Sequence, residues 1–183
     1  MPTALVAFAN GSEDMEATAA ASIIARGGVK ITRAAITTDG SKEVVCSHGM
    51  HVLCEKHISE CTEDYDIIVI PGGLDGATNC ANCEPLIAKL KAQKAAGRYV
   101  AAICAAPGFV LAKHGIITDG PATGYPGCSD NIQNYTGANT CIDRINKIVT
   151  GKGPALAIEF GLACLEVLVP AETVEQVKKG MLC

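Results

Sequence analysis

The sequence predicts an α/β fold with a mostly parallel central sheet, and three observations favour this class. Short apolar runs such as Ala4–Ala9 alternate along the chain with longer amphipathic segments such as Glu13–Arg26. The strongest runs are continuously apolar, which is typical of strands that helices cover on both faces. Glycine and proline residues separate the runs, as turns between strands and helices require. This βαβ order predicts a sheet between two layers of helices.

The predicted strands are short, predominantly apolar segments that end at turn residues. In chain order they are Ala4–Ala9, Val29–Thr37, Tyr65–Ile70, Tyr99–Ile103 and Lys147–Thr150. Two further short strands, Glu43–Cys46 and Met50–Cys54, are predicted to form a hairpin around Ser47-His48-Gly49. Tyr65–Ile70 ends in Pro71-Gly72-Gly73, where the backbone must turn and lie open.

The predicted helices follow from apolar spacing and from residues that start or stop helices. Asn10-Gly11-Ser12 is a loop and cap, Glu13–Arg26 is a helix with Met15, Ala19 and Ile23 facing the core, and Gly27-Gly28 stops it. The other predicted helices are Pro85–Ala96, closed by Gly97, then Gly108–Lys113, Ala155–Leu168 with Pro154 in its first turn, and Pro170–Lys179. No repeat or linker interrupts the pattern, so we expect a single domain over residues 1–183.

Composition excludes several classes of protein. Hydrophobic residues make up 49% of the 183 residues, as expected for a globular chain with a substantial core. The net charge is −4 and no basic stretch occurs, which disfavours nucleic-acid binding. No apolar run approaches the roughly 20 residues that span a bilayer. The first residues also lack the features of a signal peptide, so we expect a cytoplasmic protein.

The most informative segment is the turn that follows Tyr99–Ile103. The apolar run ends on Cys104, and Ala105-Ala106-Pro107 and a predicted helix follow. A nucleophile at a strand-to-helix turn lies next to helix N–H groups, which stabilise a thiolate and lower the pKa of the thiol. A buried structural cysteine is the alternative interpretation, because free cysteine is among the most buried residue types. The chain has ten cysteines, so only position in the fold can single one out.

Two other loops are expected beside Cys104, because the carboxyl ends of parallel strands meet at one edge of the sheet. The loop after the first strand brings Glu16, whose carboxyl group lowers the pKa of a neighbouring thiol when protonated and raises it when ionised. Its alternative is a solvated acid in the first turn of a helix. The loop after Ile70 brings Gly72 and Gly73, whose N–H groups are candidate donors to an oxyanion or form a plain turn.

Four segments resemble the signature blocks of the ThiJ/PfpI superfamily, and within it the branch of the Parkinson-disease-associated protein deglycase. They are Gly11-Ser12-Glu13-Asp14-Met15-Glu16, Ile70-Pro71-Gly72-Gly73, Ala101-Ala102-Ile103-Cys104-Ala105-Ala106-Pro107 and Gly153-Pro154-Ala155-Leu156-Ala157-Ile158-Glu159-Phe160. The resemblance covers nearly the whole chain. It implies a flavodoxin-like three-layer sandwich, a homodimer, a nucleophilic Cys104, a protonated Glu16, and backbone donors at Gly73 and Ala105.

The resemblance also implies a function. The branch is associated with cofactor-independent conversion of methylglyoxal and glyoxal to hydroxyacids, with repair of early glycation adducts, and with oxidant sensing through a cysteine sulfinate. We therefore expect a cysteine-dependent glyoxalase or deglycase that needs no cofactor or metal, acts on small dicarbonyls or glycated protein, and serves oxidative stress defence. The alternative is a non-catalytic redox sensor or chaperone that works through oxidation of Cys104.

Three positions depart from the pattern of related proteins. Proteases and glyoxalases elsewhere in the superfamily have a histidine directly after the cysteine, where this chain has Ala105. Many relatives in the branch have a histidine near the substrate, where this chain has Tyr125, a poor general base near neutral pH. Many also have an arginine at the position of His48, which reaches across the dimer interface; a histidine stabilises an anion there only when protonated.

A metal-binding or dithiol protein is a further alternative. Cysteines and histidines crowd one short region, comprising Cys46, His48, His51, Cys54, His57 and Cys61. Their spacing fits no standard zinc module, and a hairpin with surface histidines explains them equally. Cys80 and Cys83 have the spacing of a redox pair but do not directly follow a strand, so we expect a loop or short helix there.

Overall fold

The computed structural model describes residues 1–183, and nine strands account for its β structure. They are β1 (Thr3–Ala9), β2 (Lys30–Ile36), β3 (Glu43–Val45), β4 (His51–Leu53), β5 (Lys56–His57), β6 (Ile67–Ile70), β7 (Tyr99–Ile103), β8 (Thr140–Asp143) and β9 (Ile148–Gly151). Seven strands form one sheet in the order β5-β2-β1-β6-β7-β9-β8. Every neighbouring pair in it is parallel except β8 and β9. The strands β3 and β4 form a separate antiparallel hairpin.

Five α-helices cover the two faces of the sheet. They are α1 (Asp14–Arg26), α2 (Leu74–Ala81), α3 (Glu84–Ala95), α4 (Ala157–Glu166) and α5 (Ala171–Met181). Side chains of α1, α4 and α5 belong to one apolar cluster, and those of α2, α3 and the segment 107–112 belong to the other. The prediction of a mostly parallel sheet between helical layers is confirmed. None of these helices combines the length and the apolar character that crossing a membrane requires.

The continuously apolar strands are explained by burial on both faces. In β1, Leu5 and Ala7 point into one cluster while Val6 and Phe8 point into the other. Successive side chains of a strand alternate between faces, so a strand covered on both sides needs apolar residues throughout. The ends of these paired strands fix where the loops at the carboxyl edge of the sheet begin.

The first helix differs from its prediction at its start. Glu13 is the N-cap residue rather than part of the helix, and its side chain accepts a hydrogen bond from the Glu16 N–H. Ser12 instead bonds backward, because its hydroxyl accepts from the Ala9 N–H. The prediction that Met15 faces the core is wrong, since its side chain is 55% exposed. Ile23, from the same predicted stripe, is buried.

Four elements differ from the sequence prediction. Helix α2 was expected only at its end, where a loop or short helix was predicted around Cys80, and the antiparallel edge strand β8 was not predicted, because both elements are short and polar residues interrupt them. The predicted helix Gly108–Lys113 is a π-helical segment at Pro107–Ala112, in which the Lys113 N–H reaches the Gly108 carbonyl. The predicted helix from Ala155 to Leu168 begins with a 3₁₀ turn at Pro154–Leu156, and its α-helical part is α4.

Candidate active site

Cys104 occupies a strained turn directly after β7. Its φ angle is +63°, a left-handed conformation that costs a residue with a side chain about 1–3 kcal/mol. Two hydrogen bonds hold it there: the Cys104 N–H donates to the Gly151 carbonyl at 3.0 Å, and the Cys104 carbonyl accepts from the Tyr125 N–H at 2.7 Å. The surrounding structure therefore fixes the direction of this side chain.

The sulfur of Cys104 lies in a small polar environment although the residue is only 9% exposed. The backbone N–H groups of Gly73 and Ala105 and the carboxyl group of Glu16 lie close enough to the sulfur to influence the pKa of the thiol. Gly73 is the N-cap of α2, so one of these donors comes from a helix N-terminus. Three loops at the carboxyl edge thus meet at one thiol, as the sequence predicts.

Glu16 is completely buried, which is unusual for a carboxyl group. Its Oε2 atom accepts a hydrogen bond from the Gly72 N–H at 2.8 Å, whereas Oε1 has no hydrogen-bond partner. Burial, together with the negative charge of Glu13, raises the pKa of Glu16 from its ordinary value of 4.5 to about 7, although the Gly72 N–H and the Cys104 thiol lower it. The group therefore exchanges a proton near neutral pH.

The pKa of Cys104 differs from the sequence prediction of a lowered value. Burial, and next the charge of Glu16, raise the pKa of the Cys104 thiol to about 12, against the lowering effect of the Gly73 and Ala105 N–H groups. Because Glu16 has this effect only while it is ionised, its protonation removes that contribution. At neutral pH the pair is therefore best described as a thiol beside a carboxyl group that accepts and returns a proton.

Two glycines allow these groups to approach each other. A Cβ atom on Gly72 would lie 2.6 Å from the Cys104 Cβ and 2.7 Å from Glu16 Oε2. Gly73 has a φ angle of +82°, and a Cβ there would lie 2.2 Å from the Gly11 carbonyl oxygen. The Gly72 N–H is engaged by Glu16, which corrects the expectation that it donates to an oxyanion.

His48 lies on the turn of the hairpin and is 76% exposed. Its Nδ1 atom is 3.4 Å from Asp14 Oδ2 and 3.9 Å from Glu13 Oε1, so within the chain it contacts carboxylates rather than the Cys104 thiol. Asp14 holds this turn, accepting hydrogen bonds from the N–H groups of His48 and Met50 and from the Ser47 hydroxyl. Burial alone would raise the pKa of Asp14, but these bonds lower it below its ordinary value.

Tyr125 adjoins the site through its backbone. Its N–H group bonds the Cys104 carbonyl, while its side chain is about half exposed and lies near Gly153.

Sequence reasoning missed the roles of Glu13 and Asp14, which fix the start of α1 and the hairpin turn. The acidic first turn was the available signal, but the partners of Asp14 lie more than 30 residues away in sequence.

The cysteines and histidines proposed as a metal site or a dithiol pair do not come together in the structure. All ten cysteines are free thiols, with Cys80 in the last turn of α2 and Cys83 capping α3. No cluster of cysteines and histidines assembles in the region from Cys46 to Cys61; the one group of three possible metal ligands is Glu13, Asp14 and His48. His114 bonds the Ala81 carbonyl, which ties the end of the π-helical segment to α2.

Comparison with known proteins agrees with this geometry. The DJ-1/PfpI family matches residues 2–167. The chain is 36% identical to protein dj-1beta of Drosophila melanogaster, over 98% of this chain and 96% of the relative. It is 29% identical to the glutathione-independent glyoxalase DJR-1.2 of Caenorhabditis elegans, over 93% of this chain and 90% of the relative.

Solved structures agree as well. Oxidized DJ-1 of Toxoplasma gondii superposes with a TM-score of 0.94 at 36% identity, covering 100% of this chain and 98% of the other. The crystal structure of Drosophila melanogaster DJ-1beta superposes with a TM-score of 0.91 at 34% identity, covering 99% and 97%. By sequence and by fold, the chain belongs to the DJ-1/PfpI family.

Proposed function

We propose that this protein is a cofactor-independent glyoxalase and deglycase, with Cys104 as nucleophile and Glu16 as the proton-transferring group. Its substrates are methylglyoxal, glyoxal and early glycation adducts, and its role is defence against oxidative and carbonyl stress. One observation carries the proposal: a thiol, two backbone N–H donors and a buried carboxyl group with a pKa of about 7 meet at Cys104. The relative named as a glutathione-independent glyoxalase supports the same reaction.

The first step is addition of the thiol to the aldehyde. The sulfur forms a bond with the aldehyde carbon of methylglyoxal while the Glu16 carboxylate takes the thiol proton. The carbonyl electrons become an oxyanion, which the N–H groups of Gly73 and Ala105 stabilise as preorganised donors. Glu16 then returns the proton to the oxyanion, giving a hemithioacetal. A carboxyl group with a pKa near the working pH is well suited to both transfers.

The second step moves hydrogen between the two substrate carbons. The Glu16 carboxylate removes the proton from the former aldehyde carbon, and the resulting enediol is protonated on the neighbouring carbon to give a lactoyl thioester. Water hydrolyses the thioester, which releases lactate and restores the thiol. The sum is methylglyoxal plus water giving lactic acid, so no external oxidant or reductant is consumed. An aminocarbinol on a glycated amine enters the same sequence when the sulfur displaces the amine: the C–S bond forms, the C–N bond breaks, and the amine leaves with the thiol proton that Glu16 transfers to it, which gives the same hemithioacetal.

We further propose that the protein forms a homodimer and acts in the cytoplasm. Two large apolar side chains support the dimer: Met15 on α1 is 55% exposed and Ile158 on α4 is 49% exposed, although α1 and α4 pack against each other. A second copy covering this region would bury both and bring its own residues near His48. Sedimentation equilibrium tests the proposal, and a monomer at micromolar concentration would contradict it.

The test of the reaction is lactate formation from methylglyoxal in thiol-free, metal-chelated buffer. We expect turnover by the wild type and none above background in Cys104→Ser, because a serine hydroxyl is a far poorer nucleophile at this pH. Turnover that survives in Cys104→Ser would refute the assignment. Hydrolysis of a glycated peptide, measured separately in the presence of a free-dicarbonyl trap, distinguishes deglycase activity from removal of free dicarbonyl.

A second function is supported by the same donors. The N–H groups of Gly73 and Ala105 and a protonated Glu16 are suited to hold the oxygens of a Cys104 sulfinate, which forms when the thiolate reacts with two equivalents of peroxide and releases water. Graded peroxide treatment followed by peptide mass spectrometry tests this role. Preferential oxidation of Cys104 is expected, and uniform oxidation of all ten cysteines would contradict a sensor.

A further inference from the structure

A polar groove lies at the carboxyl edge of the sheet, on the side of β1 and β2 rather than at Cys104. Its main cavity has a volume of about 460 Å³, within the range typical of ligand sites. Asn10, Thr38 and Ile58 line one wall, and the junction of α2 and α3, from Asn79 to Pro85, lines the other. A smaller cavity of about 260 Å³ shares Asn10 and Asn79 and extends the groove to Asp75.

The side chains that line the groove leave both donors and acceptors available. Asn10 uses Oδ1 to accept from the Val45 N–H at 2.8 Å, which leaves its Nδ2 donor for a ligand. Asn79 donates Nδ2 to the Asn10 carbonyl at 2.8 Å, which leaves its Oδ1 acceptor. An adjacent donor and acceptor match the single N–H and single carbonyl that each peptide unit offers.

Each of the two cavities has one acidic residue in its lining, and neither has a lysine or an arginine. Glu84 lies in the main cavity and Asp75 in the smaller one. Neither carboxylate takes part in any ion pair of the chain. Both ring nitrogens of His57 have partners within the chain, because Nδ1 accepts a hydrogen bond from the Ser59 N–H at 3.3 Å and Nε2 bonds the Thr37 carbonyl at 3.0 Å. The electrostatics therefore favour a cationic ligand and disfavour an anionic one.

Part of the floor is apolar. Ile36 and Ile58 are each 3% exposed and line the main cavity together with Pro85. An apolar floor beneath amide groups suits the aliphatic stem of a lysine or arginine, since such side chains place methylene groups on apolar surface and keep the charge at the edge.

We propose that this groove binds a peptide segment that carries a basic side chain. The carboxamides of Asn10 and Asn79 pair with peptide groups of the ligand. The apolar floor, in which Pro85 is the exposed residue, contacts the aliphatic stem, and Glu84 or Asp75 receives the cationic end. The proposal does not depend on the chemistry assigned to Cys104, because binding requires no reaction. It implies that the protein recognises a polypeptide at a site separated from the thiol by the loop that follows β1.

The test is a titration of isotope-labelled protein with three capped probes, followed by amide NMR. The probes are the tripeptide Gly-Lys-Gly, a single capped lysine, and the tripeptide Gly-Glu-Gly. We expect Gly-Lys-Gly to shift the amide signals of Asn79, Asn82 and Glu84, the single lysine to bind several-fold more weakly, and Gly-Glu-Gly to produce no shift there. Equal affinity for the tripeptide and the single lysine would overturn the peptide assignment.

A pair of matched variants tests the electrostatic part. Glu84 and Glu172 are both exposed acids in the first turn of a helix, α3 and α5 respectively. Glu84→Gln should weaken Gly-Lys-Gly binding by about two- to fivefold, as expected for an exposed ion pair, whereas Glu172→Gln should leave it unchanged. Equal effects of the two variants, or shifts by Gly-Glu-Gly that match those by Gly-Lys-Gly, would overturn the proposal.

Discussion

Two buried cysteines of this chain, Cys104 and Cys164, show what distinguishes a candidate nucleophile from a core residue. Cys164 is completely buried in the regular helix α4, and burial is the only influence that raises the pKa of its thiol. Cys104 is nearly as buried, yet it lies on a left-handed turn between two N–H donors and a carboxyl group that exchanges a proton near pH 7. Polar neighbours, rather than exposure, separate the two thiols.

Among the variants that keep Cys104, the largest loss of activity should come from removing the carboxyl group beside this thiol. Glu16→Gln should lower lactate formation by about 10²- to 10⁴-fold, the usual contribution of a general acid–base group. The wild-type rate should rise as the pH passes about 7, following the pKa of Glu16, and the variant should lose that rise. Steady-state assays between pH 5 and 9 measure both effects. An unchanged pH profile in Glu16→Gln would mean that another group transfers the proton.

Two glycines with positive φ angles, one at the site and one outside it, should differ in how much an alanine substitution lowers the free energy of unfolding. Gly73 and Gly97 have φ angles of +82° and +66°, but only at Gly73 would a Cβ meet neighbouring atoms, at 2.2 Å from the Gly11 oxygen. Gly97→Ala should lower the free energy of unfolding by about 1 kcal/mol through backbone strain alone. Gly73→Ala adds a steric clash and should cost about 3 kcal/mol or more. Urea denaturation measures both; equal losses would contradict the packing at Gly73.

The raised pKa of Glu16 should also be visible as a pH dependence of stability. A carboxyl group whose pKa rises from 4.5 to about 7 on folding contributes stability below pH 4.5, and that contribution is lost as the pH rises to about 7. The shift corresponds to about 3 kcal/mol between those limits. The stability of the wild type relative to Glu16→Gln should fall over this window and stay constant above it. Urea titrations of both proteins at pH 4.5, 6 and 8 measure the difference.

The smallest effect on activity should come from substitution of Cys164, the cysteine buried in the core. Cys164→Ala should leave lactate formation unchanged and lower the free energy of unfolding by about 1 kcal/mol, because it removes one buried atom from a packed core. Assays of lactate formation and of thermal unfolding on the same variant separate an effect on catalysis from an effect on stability. A large loss of activity would show that Cys164 influences the reaction through the packing of α4.

The sheet was predictable because its strands are buried on both faces and are therefore apolar throughout. The runs at β1, β6 and β7 could be located from sequence for that reason, and the loops that follow them could be assigned to one edge. Helix α2 was not predictable in the same way, since its eight residues include glycine, asparagine and aspartate. Its position depends on tertiary contact: a Cβ on Gly76 would lie 2.5 Å from Ser12.

The candidate site was predictable in its members and less so in its chemistry. Cys104, Glu16 and Gly73 come together because strand ends come together, which sequence order can show. The pKa of Cys104 depends instead on how completely the fold excludes water and on the charge of Glu16, and local sequence contains neither. The partners of His48 likewise depend on a hairpin folding back onto Asp14, a contact between residues distant in sequence.

The most direct test of the central claim is to locate the covalent intermediate. The protein is mixed with methylglyoxal, quenched in acid during turnover, digested, and mapped by mass spectrometry across all ten cysteines. The proposed mechanism predicts a lactoyl thioester on Cys104 that forms and decays at the rate of lactate release, and no such adduct at Cys164. Lactate release with no adduct on Cys104, or with an adduct on another cysteine that turns over at that rate, would contradict the assignment of Cys104 as the nucleophile.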